Sequence, residues 1–178
     1  MMPTFCEGNK VYLRPVQLED LPLIVKWKSD PLVRRMALGQ GAQVTLENQE
    51  EDVKRAIESD KESYLIIAVK ETGQAIGYVR INWMDETKRF AWLRFALGEQ
   101  RGRGYAKDAL KALLAHLFSE EVHRVDAEVY EFNERSLGLL GSLGFKREGI
   151  KREAHFDSER YVDVVVLGLL KEEFRMVS

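Results

Sequence analysis

The spacing of hydrophobic residues changes period along the 178-residue chain, and the changes mark out its elements. "VYLRPV" (11–16) alternates and predicts a short strand, which Pro15 places near an edge. "QLEDLPLIVKWKS" (17–29) predicts a helix with acids early and lysines late, as the helix dipole favours. "DPLVRRM" (30–36) predicts a second, short helix with proline at its first position. In "TLENQEEDVKRAIES" (45–59), Thr45 caps a third helix whose buried stripe is expected at Val53 and Ile57. "SYLIIAVK", "GQAIGYVRINWM" and "KRFAWLRFAL" are rich in branched and aromatic residues. They are separated by Thr72-Gly73 and Asp85-Glu86-Thr87, which predicts an antiparallel meander.

Helical spacing then returns. Ala106, Leu110, Leu113, Leu114 and Leu117 share one face of a helix expected from Arg103 to about Ser119. "VHRVDAEVY" (122–130) predicts a strand. "NERSLGLLGSLG" (133–144) predicts a helix capped by Asn133 and stopped by Gly144. "FKREGIKREAHF" and "RYVDVVVLGLLKEEF" predict two closing strands paired through "DSE". The order implies an α+β (mixed α/β) fold, a mixed sheet with helices packed on it.

Composition narrows the class. The length suits one domain, taken as 1–178, with a core large enough to need no staples. A formal net charge of −2 gives no broad nucleic-acid footprint. The lone Cys6 suits a reducing compartment. "MMPTFCEGNK" lacks a leader's apolar core, and the longest apolar run, "VVVLGLL" (164–170), is too short to span a bilayer, so a cytoplasmic location is expected. Three scattered histidines and one cysteine give no metal-ligand spacing.

"LGEQRGRGYAKDALKALL" (97–114) crowds two glycines and two arginines where a strand gives way to a helix. The start of a helix offers unpaired N–H groups and partial positive charge. Gly102 and Gly104 let an anion come close, Arg101 and Arg103 add charge, and the small Ala106 keeps the first turn near it. Lys107 stands where a dinucleotide fingerprint needs its third glycine, and no Gly-Lys-Ser/Thr ending follows Gly98. A phosphate cradle and a plain turn that needs positive φ both fit this junction taken alone.

The wider pattern decides between them. Arg101-x-x-Gly104-x-Ala106, between a strand and a helix, resembles the acetyl-CoA loop of the GNAT superfamily of N-acetyltransferases. "NERSLGLLGSLGFKREG" (133–149) resembles that superfamily's second signature, one strand further on. "VYLRPVQLEDLPLIVKW" and "YVDVVVLGLL" are similar to the branch containing ribosomal-protein N-terminal acetyltransferases. The resemblance implies the GNAT fold, a mostly antiparallel central mixed sheet of about seven strands with helices on both faces. It implies an acetyl-CoA-dependent N-acetyltransferase acting on a primary amine in a ternary complex, without a metal. The branch contains dimers, which leaves a homodimer open.

The same resemblance implies roles for residues. The pantetheine arm of acetyl-CoA would pair with backbone groups near Phe95, Ala96 and Leu97, with the Leu97 N–H on the thioester carbonyl. The pyrophosphate would sit on Arg101, Gly102, Arg103, Gly104, Tyr105 and Ala106. Asn133 would hold the pantetheine amide. Many superfamily members place a tyrosine for the departing sulfur where this chain has Leu140; the N-terminal acetyltransferase branch instead places a serine one turn after the asparagine, and the resemblance to that branch implies this role for Ser136. For the base, Glu148, Glu153, His155 and Tyr161 on the terminal strands, and Asn82, Asp85 and Arg94 on the middle ones, are the candidates, with Glu148 foremost. Glu50, Glu51 and Asp52 are expected to draw a cationic acceptor. An acyl-CoA-binding protein without catalysis and an interaction domain without cofactor are the alternatives.

Overall fold

The computed structural model describes residues 3–38 and 43–177, so the ends of the expected 1–178 domain lie outside them. In chain order the strands are β1 (Cys6–Glu7), β2 (Val11–Pro15), β3 (Glu62–Val69), β4 (Ala75–Trp83), β5 (Phe90–Leu97), β6 (Arg124–Tyr130), β7 (Lys146–Phe156) and β8 (Tyr161–Leu170). The helices are α1 (Leu21–Ser29), α2 (Pro31–Val33), α3 (Leu46–Glu58), α4 (Tyr105–Ser119), α5 (Glu134–Ser142) and α6 (Lys171–Val177). The strands form one sheet in the order β1-β2-β3-β4-β5-β6-β8-β7, antiparallel throughout except for the parallel pair β5–β6.

The meander forms because β3, β4 and β5 alternate their side chains between two covered faces. Leu65, Ile67, Val79, Ile81, Ala91 and Leu93 lie under Leu110, Leu113, Leu114 and Leu117 of α4. Tyr64, Ile66 and Tyr78, between them in sequence, face Ile24 and Trp27 of α1 and Val53 and Ala56 of α3. Strands covered on both sides read as nearly continuous apolar runs. Each large side chain fully buried here stabilises the fold by roughly 1.5–3 kcal/mol.

Three expectations are adjusted. The sheet has eight strands rather than about seven, because β1 adds a two-residue edge beyond β2. On α3 the buried stripe runs through Gln49, Val53 and Ala56, and Ile57 is 53% exposed. The closing segment leaves the sheet at Leu170 and turns into α6, because the Glu173 carboxylate accepts from the Leu170 N–H (3.0 Å) at the helix entrance.

Two features of this frame set up the site. A Cβ at Gly77 would run into the Ala96 carbonyl, so glycine lets β4 and the end of β5 close together beside a register shift. Between β5 and β6, pairing stops at Leu93 opposite Ala127, although β5 runs on to Leu97 and β6 to Tyr130. The two parallel strands part there and leave a wedge.

Candidate active site

The wedge exposes a defined set of backbone groups. The Phe90 carbonyl accepts from the Met84 N–H (2.9 Å) and the Gly98 N–H donates to the Ile76 carbonyl (2.8 Å), so even-numbered residues of β5 address β4. The Arg89 carbonyl accepts from His123 and Arg124, which puts the odd-numbered set toward β6. Beyond Leu93 that set is Phe95 and Leu97, with no strand of the described residues opposite. Ala96 lines the cleft but pairs with Tyr78, so its backbone is turned away from the wedge.

The loop after β5 is anchored from both sides. Glu99 accepts from the Trp27 indole N–H and from Lys26, each at 3.0 Å. The Trp27 hydrogen bond, aided by Lys26, holds its carboxyl below the usual range. Asp108 on α4 accepts the N–H groups of Asn9, Lys10 and Val11 (2.8–3.0 Å), tying α4 to the β1–β2 turn. Between these anchors Gln100, Gly102 and Gly104 all have positive φ (53°, 82° and 79°). Alternation with left-handed backbone curls a loop so that its N–H groups converge. A Cβ on Gly102 would meet nothing within 4 Å, so its glycine answers to backbone conformation and not to crowding within the chain.

The first helical hydrogen bond of α4 runs from the Asp108 N–H to the Gly104 carbonyl (3.1 Å), and among the described residues no side chain caps the helix. The N–H groups that precede it are therefore available to an anion. The arginines are arranged differently from expectation. Arg101 turns inward: its Nε donates to the Leu97 carbonyl (3.0 Å), and an Nη lies 3.9 Å from Asp30, which caps α2. Arg103 is exposed outside the cleft lining, and its carbonyl accepts from Lys10 Nζ (3.3 Å).

A cleft of about 900 Å³ joins this loop to the wedge and continues to the face covered by α1 and α2. Its lining gathers Phe95, Ala96, Leu97, Arg101, Gly102, Gly104, Tyr105, Ala106, Asn133 and Ser136 from the expected set. Asn133 is committed to the protein: its carbonyl caps α5 at the Ser136 N–H (3.2 Å) and its Nδ2 donates to the Met36 carbonyl (3.4 Å). That fastens α5 to the segment after α2 and uses one of the carboxamide's two N–H donors. Ser136, in the first turn so fixed, is half-buried on the cleft wall. Leu140 beneath it is fully buried.

Glu148 is not in the cleft. It pairs with Arg124, whose hydrogen bonds hold its carboxyl below the usual range. A carboxylate held by a guanidinium is a poor proton acceptor. Of the other base candidates, His155 lines the cleft, stacked on Tyr130 with ring centres 4.2 Å apart. Asn82 accepts from Arg94, Asp85 accepts from Thr87 in an exposed turn, and Glu153 and Tyr161 are exposed away from the cleft. The acids of α3 are also spent or remote: Asp52 pairs with Arg80, and Glu50 pairs with Lys54 on the exposed face.

Sequence reasoning missed the charged wall itself. Arg80 is buried on β4 between Asp52 and Glu62. Burial alone would depress its pKa, but the Asp52 hydrogen bonds and charge, with Glu62, raise it. Lys28 is buried beside it, over the Tyr64 and Tyr78 rings (5.6 and 5.2 Å), with Nζ donating to Gln49 (3.0 Å). Burial, and next the Arg80 charge, bring its pKa down to about 8. The available signal was a charged residue in each of two apolar stretches, Arg80 in "AIGYVRINW" and Lys28 after Trp27.

Comparison with known proteins gives the family and the fold. The acetyltransferase (GNAT) domain family model matches residues 10–146. The uncharacterized N-acetyltransferase p20 of Bacillus licheniformis is 31% identical over 174 residues, covering 93% of this chain and 96% of that protein. The spermidine N-acetyltransferase of Vibrio cholerae, solved with CoA and spermine, superposes with a TM-score of 0.84 at 21% identity, covering 93% of this chain and 98% of the other. The ribosomal L7/L12 alpha-N-protein acetyltransferase RimL, solved with coenzyme A, gives 0.81 at 19% identity over 95% and 97%. Among the described residues no helix is long and apolar enough to cross a membrane, and no cluster of His, Cys, Asp or Glu could hold a metal ion. The chain belongs to the GNAT family of acetyltransferases and is an N-acetyltransferase whose acetyl donor is acetyl-CoA.

Proposed function

We propose that the chain moves the acetyl group directly onto a primary amine, with donor and acceptor meeting in the wedge from opposite faces of the sheet. The observation that carries this reading is the pair of odd-numbered residues, Phe95 and Leu97, whose backbone groups face the wedge where β5 leaves β6. Phe95 binds the pantetheine arm as an added strand would be bound. The N–H groups from Gly102 to Lys107 hold the pyrophosphate. Arg101 fixes the Leu97 carbonyl, so the Leu97 N–H is set toward the thioester oxygen and stabilises the charge that gathers there. Such a donor contributes about 3 kcal/mol.

The attacking amine must arrive unprotonated. His155 replaces Glu148 as the proton acceptor in this scheme, because its imidazole stands on the cleft wall and Glu148 does not. Ser136 Oγ–H donates a hydrogen bond to the sulfur as the carbon–sulfur bond breaks, and the departing thiolate takes up the proton that the amine releases. The test is amine-dependent release of coenzyme A, measured for the wild type and Ser136→Ala. Ser136→Ala is expected to lower kcat by about tenfold or more, with cofactor affinity changed little. An unaltered kcat removes Ser136 from the chemistry, and binding without release removes catalysis.

A further inference from the structure

Acetyl transfer to an amine leaves open what else the acceptor carries, and the charged wall of the cleft addresses that. Tyr64, Arg80 and Arg94 lie directly opposite one another on β3, β4 and β5. Two guanidinium groups are thus cross-strand neighbours on one face, an arrangement that costs stability through repulsion. Lys28 adds a third cation from α1. Against these three stand two carboxylates, Asp52 and Glu62, and both are engaged by Arg80, with the exposed Arg55 a further partner of Asp52. Lys28 shares Asp52 at 4.0 Å. Arg94 has the Asn82 carboxamide (2.7 Å) and the Trp92 ring (4.8 Å), and no carboxylate pairs with it among the described residues. One positive charge is left in excess at the floor of the acceptor side.

The hydrogen-bonding inventory agrees. Arg80 Nε and the Trp92 indole N–H are buried donors without acceptors among the described residues. Both side chains line the cleft together with Lys28 and Arg94. Buried donors left unpaired cost roughly 1–3 kcal/mol each, and a ligand rich in acceptor atoms relieves them. Among the described residues the one carboxylate in the lining is Glu128, which already pairs with Lys151. A second ammonium on the acceptor would face cations and donors and find no free carboxylate there.

Resting on the acetyl-transfer reading above, we propose that the acceptor is a primary amine that also bears an anionic group, a carboxylate in its simplest form. Arg94 meets that group, with Lys28 supplying field from behind. This sets the chain apart from a polyamine acetyltransferase, although its fold is shared with one.

The experiment uses the full chain loaded with coenzyme A and compares β-alanine and γ-aminobutyrate with butylamine and putrescine, by calorimetric binding and, with acetyl-CoA, by turnover. The amino acids are expected to bind about tenfold or more tighter than putrescine, with the preference shrinking as salt is raised. Arg94 is exposed, so Arg94→Gln keeps the fold; it is expected to cut the preference about fivefold or more, and Arg94→Lys to restore most of it. Putrescine binding as well as the amino acids overturns the proposal, as does a preference untouched by Arg94→Gln or a failure of both amino acids to bind. Amino-acid binding without coenzyme A release keeps the anion site and rejects acetyl transfer. Release with every amine and no carboxylate preference keeps acetyl transfer and rejects the anion site.

Discussion

The two halves that the proposed scheme gives the cleft, one for the donor and one for the acceptor, are built from different materials. The donor half is main chain: the odd-numbered edge of β5 and the amides around Gly102 and Gly104. The acceptor half is side chain: Lys28, Arg80, Trp92 and Arg94, drawn from α1, β4 and β5. A backbone site recognises a part of the ligand that does not vary, and it tolerates change in any side chain that leaves its curvature alone. A side-chain site can be rewritten one residue at a time. The contrast explains how one fold can keep its donor and exchange its acceptor.

The largest effect expected from a single change therefore falls on the donor half. Gly104→Glu forces a side chain into left-handed backbone (φ 79°) and places a carboxylate at the helix entrance, against the phosphates. Lys10 Nζ stands 3.5 Å from where its Cβ would be, so part of the new charge is met by a lysine. The loss in acetyl-CoA affinity is still expected to be about a hundredfold or more, measured by calorimetry. Unchanged affinity would mean that the phosphates are held elsewhere and that the donor half is misassigned.

The same difference in material governs how much could be read in advance. The donor half is written in consecutive residues, because positive φ demands glycine and a helix start has its own pattern; "RGRGYA" displays both. The periods of β3, β4 and β5 also announced the meander. The acceptor half depends on register. Nothing local says that Arg80 stands opposite Arg94, or that Lys28 reaches over Tyr78; both follow from how the strands and α1 pack. Glu148 shows the same dependence, since its partner Arg124 lies on a strand two places away in the sheet order. Ile57 lost its place in the core to Ala56 because helical spacing admits both and the crowded contact between α3 and α1 accepts the smaller residue.

A medium effect is expected from pH on the acceptor half. In the unfolded chain Lys28 titrates near about 10.4, and in the fold its pKa is about 8 because of burial, then Arg80. Below pH 8 both states hold the proton, and the fold bears the full cost of the buried charge. Between those values the unfolded chain binds more protons than the fold, so this residue's contribution to stability rises with pH. From pH 7 to pH 9.5 the wild type is expected to gain about 2 kcal/mol relative to Lys28→Met, measured by urea denaturation of both proteins. Parallel curves for the two proteins would show that Lys28 is not the titrating group. The comparison isolates the acceptor half, because the donor cradle is made of amides that do not titrate.

The smallest effect tests the boundary of the site. Glu148 is ion-paired with Arg124 on the exposed side of β7, and Arg124 keeps Asp126 as a second partner (2.6 Å). Glu148→Gln retains an acceptor for the guanidinium and removes a charge that water already screens, so stability should move by less than about 0.5 kcal/mol. Turnover is the sharper measurement. With Glu148 outside the cleft, kcat/KM should change by less than about twofold, and the acid limb of its pH profile should keep its midpoint. A general base replaced by an amide would instead cost about a hundredfold and erase that limb. The His155→Gln variant carries the opposite expectation on the same axis, so the two profiles together locate the proton acceptor on one side of the sheet or the other.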